Sequence, residues 1–115
     1  MTDNRNHPTW FESGMVEFAN ARYDKSIEMF TKAIEGDDGS ALAYVSRGAA
    51  RLKLAKARDA KDDFDRAIAL DAGYARAYHL RGIAHEQIGE LARAFQDFDR
   101  LRYRRFRDFN FFKAP

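Results

Sequence analysis

The chain has 115 residues, 45% of them hydrophobic, which is enough for the core of one domain. Its 20 basic and 18 acidic residues leave a formal net charge of +2, which disfavours a general nucleic-acid or polybasic membrane binder. Cysteine is absent, which excludes disulfides and thiolate metal sites, and the few glycines and prolines among many helix formers favour an all-α fold.

A repeat with a fixed period organises most of the sequence. Residues 1–6 carry no pattern and are expected to form a disordered tail. From residue 7 the sequence repeats every 34 residues without gaps, which predicts a single domain at residues 7–108 followed by an aromatic extension at residues 109–115. The three blocks are residues 7–40, 41–74 and 75–108. Each block is expected to be two antiparallel helices joined by a tight turn.

The blocks agree at four repeat positions. Position four is aromatic, position eight is glycine, position twenty is small and position twenty-four is phenylalanine. These residues are Trp10, Tyr44 and Tyr78; Gly14, Gly48 and Gly82; Ser26, Ala60 and Ala94; and Phe30, Phe64 and Phe98. The glycine and the small residue predict a close approach of the two helices, and the phenylalanine is expected to fill the space toward the neighbouring block.

This pattern resembles the tetratricopeptide repeat, which has the same period and the same order of aromatic, glycine, small and phenylalanine positions. The resemblance implies an α-solenoid of three helix-turn-helix tetratricopeptide-like repeats. The last helix is expected to be extended, because Leu101 stands where the earlier blocks have alanine and no proline ends the helix. At the helix starts, Pro8 is expected in a first turn and Ser40 as an N-cap.

Arginine and aspartate occur together at two other repeat positions. Position seven is Arg47 and then Arg81 only in the blocks where position twenty-three is Asp63 and then Asp97. This pairing predicts two ion pairs, each joining the two helices of one block. Two solvated charges at no special distance are the alternative.

The resemblance also implies a binding groove lined by the first helix of each repeat. Its expected peptide-binding residues are Phe11, Met15, Phe18, Val45, Lys53, Arg76, His79 and Ile83. The first two blocks would supply an apolar surface and the third a polar end, a combination typical of binding sites. The alternative is that some groove positions are interhelical core, above all Phe18, Ala49 and Leu52.

The family's carboxylate clamp, which grips the C-terminus of chaperones, is largely missing. The clamp requires lysine and asparagine at positions five and nine of the first repeat and asparagine at position six of the second. It also requires lysine and arginine at positions two and six of the third. These places hold Phe11, Met15, Ser46, Arg76 and Leu80. Only Arg76 is compatible, so binding of chaperone tails is not expected.

The C-terminal sequence combines arginines with aromatic residues. Residues 93–107 contain six arginines and two aspartates. Three interpretations stay open: self-association, an irregular cap folded back on the chain, and binding to RNA, DNA or an anionic membrane through arginine and aromatic contacts. The possible oligomer interface consists of Tyr103, Phe106, Phe109 and Phe112.

Catalytic, cofactor and metal sites are not expected. The three histidines, His7, His79 and His85, have no catalytic or metal-ligand spacing, and no phosphate-binding glycine loop is present. Without an apolar signal segment or a bilayer-length apolar run, the expected location is the cytoplasm. The sequence therefore predicts a non-catalytic scaffold or adaptor that binds a peptide or helix of a protein partner. A homo-oligomeric module is the alternative, and an anionic-polymer binder is a third.

Overall fold

Six helices and no strand make up residues 7–101, the part of the chain that the computed structural model describes. The helices are α1 (Trp10–Ala19), α2 (Tyr23–Gly36), α3 (Ala41–Lys53), α4 (Ala57–Leu70), α5 (Ala75–Ile88) and α6 (residues 91–101). They form one antiparallel pair in each block, which confirms an all-α helical-repeat solenoid. None of the described helices is long and apolar enough to cross a membrane. The predicted tail, C-terminal extension, extended last helix and oligomer interface lie outside the described residues.

Side-chain caps fix the start of the first helix of two blocks. Thr9 caps α1: its hydroxyl accepts from the Glu12 amide, and its own amide donates to the Glu12 carboxylate. Pro8 therefore precedes the cap, and its expected place in the first turn is wrong. Ser40 caps α3 as predicted, since Ser40 Oγ accepts from the Ala43 amide at 3.1 Å.

The turn between the two helices of each block contains one residue in the left-handed region. At this repeat position φ is +60° for Ala21, +58° for Ala55 and +91° for Gly89. The same backbone shape therefore recurs in all three blocks although only the third uses glycine. Alanine adopts this conformation at a steric cost that glycine does not have.

The helices form two layers of unequal spacing. Within the helices α1 to α5, each helix packs on the next, and α1 also contacts α3, as α3 contacts α5. No such contact joins α2 and α4. The layer of α1, α3 and α5 is therefore the tighter one, and the solenoid is concave on that side.

The repeated glycine and phenylalanine close the contact inside each block. A Cβ atom added to Gly48 would lie 2.5 Å from Phe64 Cε1, and Gly14 and Gly82 face Phe30 and Phe98 in the same way. Phe30 and Phe64 are fully buried. The phenyl rings thus pack against the glycine of their own block. Phe64 also belongs to a buried cluster that contains Ala77 and Ala84 of the next block, in agreement with the predicted packing toward the neighbouring block.

Candidate functional site on the concave surface

The concave layer exposes a sequence of apolar and then basic side chains. Met15 on α1 and Leu42 on α3 are exposed, although both are large and apolar. Lys53 ends α3, and Arg76 and His79 lie on the first turns of α5, all three exposed. The exposed side chains named here are therefore apolar in the first block and polar or basic in the third. That they bind a ligand stays a prediction.

Val45 does not belong to this surface. Its side chain is fully buried in the cluster that contains Phe64 and Ala60, and Phe11 packs against the same cluster. The prediction that Val45 contacts a peptide is corrected for this reason. Ala49 is also buried and Leu52 is half-buried, in agreement with the alternative that some groove positions belong to the interhelical core.

Three other predicted groove residues pack against neighbouring aromatic rings. The Phe11 ring lies 5.5 Å from the Phe30 ring, and the Phe18 ring meets Tyr23 edge-on at 5.3 Å. His79 lies 5.9 Å from Phe98. Phe11 and Phe18 are half-buried, as is Ile83, so these side chains present only part of their surface to a ligand.

Both predicted ion pairs are present, and they hold the concave helices in place. Arg47 Nε and Nη2 donate to Asp63, with Nη2 2.7 Å from Oδ1. Arg51 adds a second cation, with its Nη1 2.8 Å from Asp63 Oδ2. In a dry environment such a pair is stable only when all its hydrogen bonds are made, and here the buried carboxylate accepts from two guanidinium groups.

The third block repeats the arrangement with one change. Arg81 Nη2 donates to Asp97 Oδ1 at 2.8 Å, and this hydrogen bond raises the pKa of Arg81. His85 takes the place of Arg51, with Nε2 3.6 Å from Asp97 and Nδ1 3.1 Å from Glu90. The hydrogen bond with His85 lowers the pKa of Glu90. His85 is buried, as expected for a packed histidine.

The same arginines also connect successive blocks, a role that the sequence reasoning missed. Arg47 Nη1 donates to Thr31 Oγ1 at 3.2 Å, and Arg81 Nη1 donates to Asp65 Oδ1 at 3.0 Å. Both acceptors occupy position twenty-five of the preceding block. The recurring polar residue at that position was the available signal, but only the three-dimensional stacking of the blocks shows that the arginine reaches it.

Comparison with known proteins agrees with this architecture. The family model described as tetratricopeptide repeat matches residues 7–37. The second tetratricopeptide domain of Spaghetti (RPAP3), bound to the HSP90 peptide SRMEEVD, is 36% identical, with a TM-score of 0.77 over 78% of this chain and 83% of that one. The chain belongs to the tetratricopeptide repeat family.

Two further solved structures of tetratricopeptide repeat domains are similar. The second domain of human RPAP3, in complex with the HSP70 peptide SGPTIEEVD, is 35% identical, with a TM-score of 0.77 over 79% of this chain and 76% of that one. The domain of Arabidopsis OM64 is 28% identical, with a TM-score of 0.78 over 79% and 75%. A search of curated proteins found no match.

The five repeat positions that form the clamp in the family are present in this chain, but most of their side chains cannot bind a carboxylate. Met15 is exposed where the clamp has asparagine, and Phe11 is half-buried where it has lysine. Ser46 and Leu80 are half-buried and carry no charge. Arg76 alone offers a cation at an exposed position. The similar domains therefore share the backbone fold with this chain, while four of its five clamp positions depart from the family's clamp pattern.

Proposed function

We propose that this protein is a non-catalytic interaction scaffold that binds a peptide or helix of a partner protein on its concave surface. The observation that carries the proposal is the exposure of Met15 and Leu42 on helices of the concave layer, which also exposes the basic Lys53 and Arg76. Leaving two large apolar side chains in water gives no gain in stability, whereas burying them under a ligand does. Two similar domains bind peptides, which supports peptide binding as the function.

The ligand chemistry follows from the order of side chains. Met15 and Leu42 suit apolar side chains, and methionine adapts to several shapes. Arg76 and His79, three residues apart on α5, suit an acidic group of the ligand. Lys53, at the opposite end of α3, offers a separate cation. We therefore expect a peptide with apolar residues toward one end and an acidic side chain toward the other, held by apolar burial more than by a clamp.

A selection from short random peptides displayed on phage would test the proposal. Enriched peptides would be synthesised and titrated against wild type, Met15→Glu and Val16→Glu. Met15 and Val16 are neighbours with similar exposure, 47% and 56%, but only Met15 occupies a predicted groove position. We expect Met15→Glu to weaken binding about tenfold or more, from loss of apolar burial, and Val16→Glu to leave it unchanged. Equal effects of the two substitutions would contradict the proposal.

The two alternative functions depend on residues outside the described range. Self-association through Tyr103, Phe106, Phe109 and Phe112, and anionic-polymer binding through the arginines after residue 101, gain no support from the similar structures. Groove binding has a described surface with suitable chemistry, and we favour it for that reason.

A further inference from the structure

One face of α6 carries an open stripe of apolar and acidic side chains. Leu91, Phe95 and Asp99 are spaced four residues apart and therefore lie on the same side of the helix. Leu91 is 67% exposed and Phe95 is 65% exposed. Asp99 is exposed as well, and it makes no hydrogen bond or ion pair within the described part of the chain. We refer to these three residues as the end stripe.

In each earlier block, the residues at the same repeat positions contact the first helix of the next block. The last of these residues accepts a hydrogen bond from the arginine of that helix, in the pairs Thr31 with Arg47 and Asp65 with Arg81. The first of these residues in α4, Ala57, is buried in the same cluster as residues of α5. Asp99 is the equivalent acceptor in the third block, and the described residues provide no arginine for it.

The two helices that pack against a preceding block, α3 and α5, share a short sequence pattern. Each has alanine, then arginine four residues later, then alanine three residues after that. The residues are Ala43, Arg47 and Ala50 in α3, and Ala77, Arg81 and Ala84 in α5. All four alanines are buried. In α1, which is the first helix of the described residues, Val16 occupies the last of these places and is 56% exposed. Burial of this pattern therefore comes from its contact with the preceding block.

We propose that the end stripe is a second binding surface, which binds an amphipathic helix of a partner protein. This helix has a small residue, an arginine four residues later and another small residue three residues after the arginine. The arginine donates to Asp99, as Arg81 donates to Asp65. Leu91 is larger than Ala57, and Phe95 is more apolar than Lys61, at the same repeat positions. Small residues on the partner helix let it approach closely enough to bury Leu91 and Phe95.

The first helix of a second copy of this chain does not have that pattern. In that copy α1 presents Thr9, Ser13 and Val16 in the three places, so it has no cation for Asp99. Head-to-tail stacking would therefore bury an acidic group without a partner, which is unfavourable. The charge of the end stripe accordingly selects a different protein.

A helical peptide copied from α5 is a direct probe. A hydrocarbon-stapled peptide of residues 75–88, stapled away from the pattern, would be titrated into the isotope-labelled full-length chain and followed by NMR. We expect shift changes centred on the end stripe. Replacing the peptide arginine that corresponds to Arg81 by glutamine, or Asp99→Asn in the chain, should weaken binding about threefold, as for exposed ion pairs. Phe95→Glu should weaken it about tenfold. Asp62→Asn, an exposed aspartate of α4, is the matched control and should have no effect.

Several results would overturn the proposal. The peptide could shift residues of the concave surface instead, which would support the groove alone. It could fail to bind at millimolar concentration, the result expected if residues 102–115 of the same chain cover the end stripe. The chain could also self-associate in sedimentation and dissociate with Phe95→Glu, which would make a second copy the occupant. Phe95 is exposed, so an unchanged thermal melt should show that this variant is folded.

Discussion

Arg81 in α5 and Asp65 in α4 lie in successive repeats, yet Arg81 Nη1 is only 3.0 Å from Asp65 Oδ1. The same guanidinium donates to Asp97 on α6, so one side chain joins three helices. Repeat arrays gain stability from the interfaces between neighbouring units. This arginine therefore couples the packing inside a repeat to the packing between repeats, and it fixes the position of the α5 residues on the concave surface.

Asp63 is the residue on which the first of these networks depends most. Its side chain is 3% exposed and pairs with both Arg47 and Arg51. Asp63→Asn leaves two partly buried cations without their counter-charge, and we expect it to lower the free energy of unfolding by about 3 kcal/mol or more. Urea denaturation monitored by circular dichroism would measure this. Asp62→Asn, at the neighbouring exposed position, should change the stability little; a similar loss in both variants would argue against a specific role for Asp63.

The glycine at repeat position eight is tested by adding a single methyl group. In Gly48→Ala the new Cβ atom would lie 2.5 Å from Phe64, so the helices must separate. We expect destabilisation of about 1–3 kcal/mol, the usual effect of overpacking. Gly36→Ala is the matched control, because a Cβ atom there meets nothing within 4 Å. That variant should be as stable as wild type or more stable by roughly 0.5 kcal/mol, since alanine favours the helix. A stable Gly48→Ala protein would show that the contact is not tight.

The sequence predicts a contact where the residues at two repeat positions change together from one block to the next. Arginine at position seven occurs only with aspartate at position twenty-three, so the pair Arg47 and Asp63 could be inferred from one chain. Val45 shows the limit of this reasoning. Its repeat position faces the groove in the family, but its exposure depends on how closely α1 and α3 approach, and that distance is set by the packing of the whole cluster. The link from Arg81 to Asp65 was missed for the same reason, since it depends on the stacking of blocks.

The turn at repeat position fifteen offers a reciprocal pair of substitutions. Ala55 adopts a left-handed conformation with φ +58°, and Gly89 has φ +91° in the next block. We expect Ala55→Gly to stabilise the protein by roughly 0.5–1 kcal/mol and Gly89→Ala to destabilise it by about 1 kcal/mol, because only glycine lacks the steric penalty. Thermal unfolding of both variants would check the signs. Ala69→Gly, in the last turn of α4, should be destabilising, because glycine disfavours the helical conformation that this residue has. Destabilisation by Ala55→Gly would contradict the prediction.

The cap of α1 should make stability depend on pH in the acidic range. Hydrogen bonds from Thr9 lower the pKa of Glu12 from its ordinary value of 4.5. The carboxylate thus contributes stability that is complete above pH 4.5 and is lost as the pH falls through the lower pKa of the folded state. Glu12→Gln keeps a hydrogen-bond acceptor but does not titrate.

We therefore expect wild type to exceed Glu12→Gln in stability at neutral pH, with the difference decreasing below pH 4.5. Urea denaturation at a series of pH values would measure the difference. Glu28→Gln, at an exposed position of α2, controls for the removal of a carboxylate that is not part of a cap. A difference between wild type and Glu12→Gln that stays constant down to strongly acidic pH would contradict the assignment.

The groove should respond differently from a carboxylate clamp to the peptide SRMEEVD, which is bound by a similar domain. In this chain the clamp positions hold Phe11, Met15, Ser46 and Leu80, so the free carboxylate of the peptide finds only Arg76. We expect wild type to bind the labelled peptide weakly and to bind its C-terminally amidated form equally well. Fluorescence anisotropy would compare the two peptides.

Restoring the clamp residues should create the missing dependence on the carboxylate. A variant with Phe11→Lys, Met15→Asn, Ser46→Asn and Leu80→Arg keeps Arg76 and adds the donors that the family uses. We expect it to bind the free-acid peptide at least about tenfold more tightly than wild type, since charge-assisted hydrogen bonds contribute about 1.5–3 kcal/mol each. Amidation of the peptide should remove this gain. If wild type already requires the free carboxylate, the groove contains a clamp of different composition, and the apolar character of its first two repeats is not what selects the ligand.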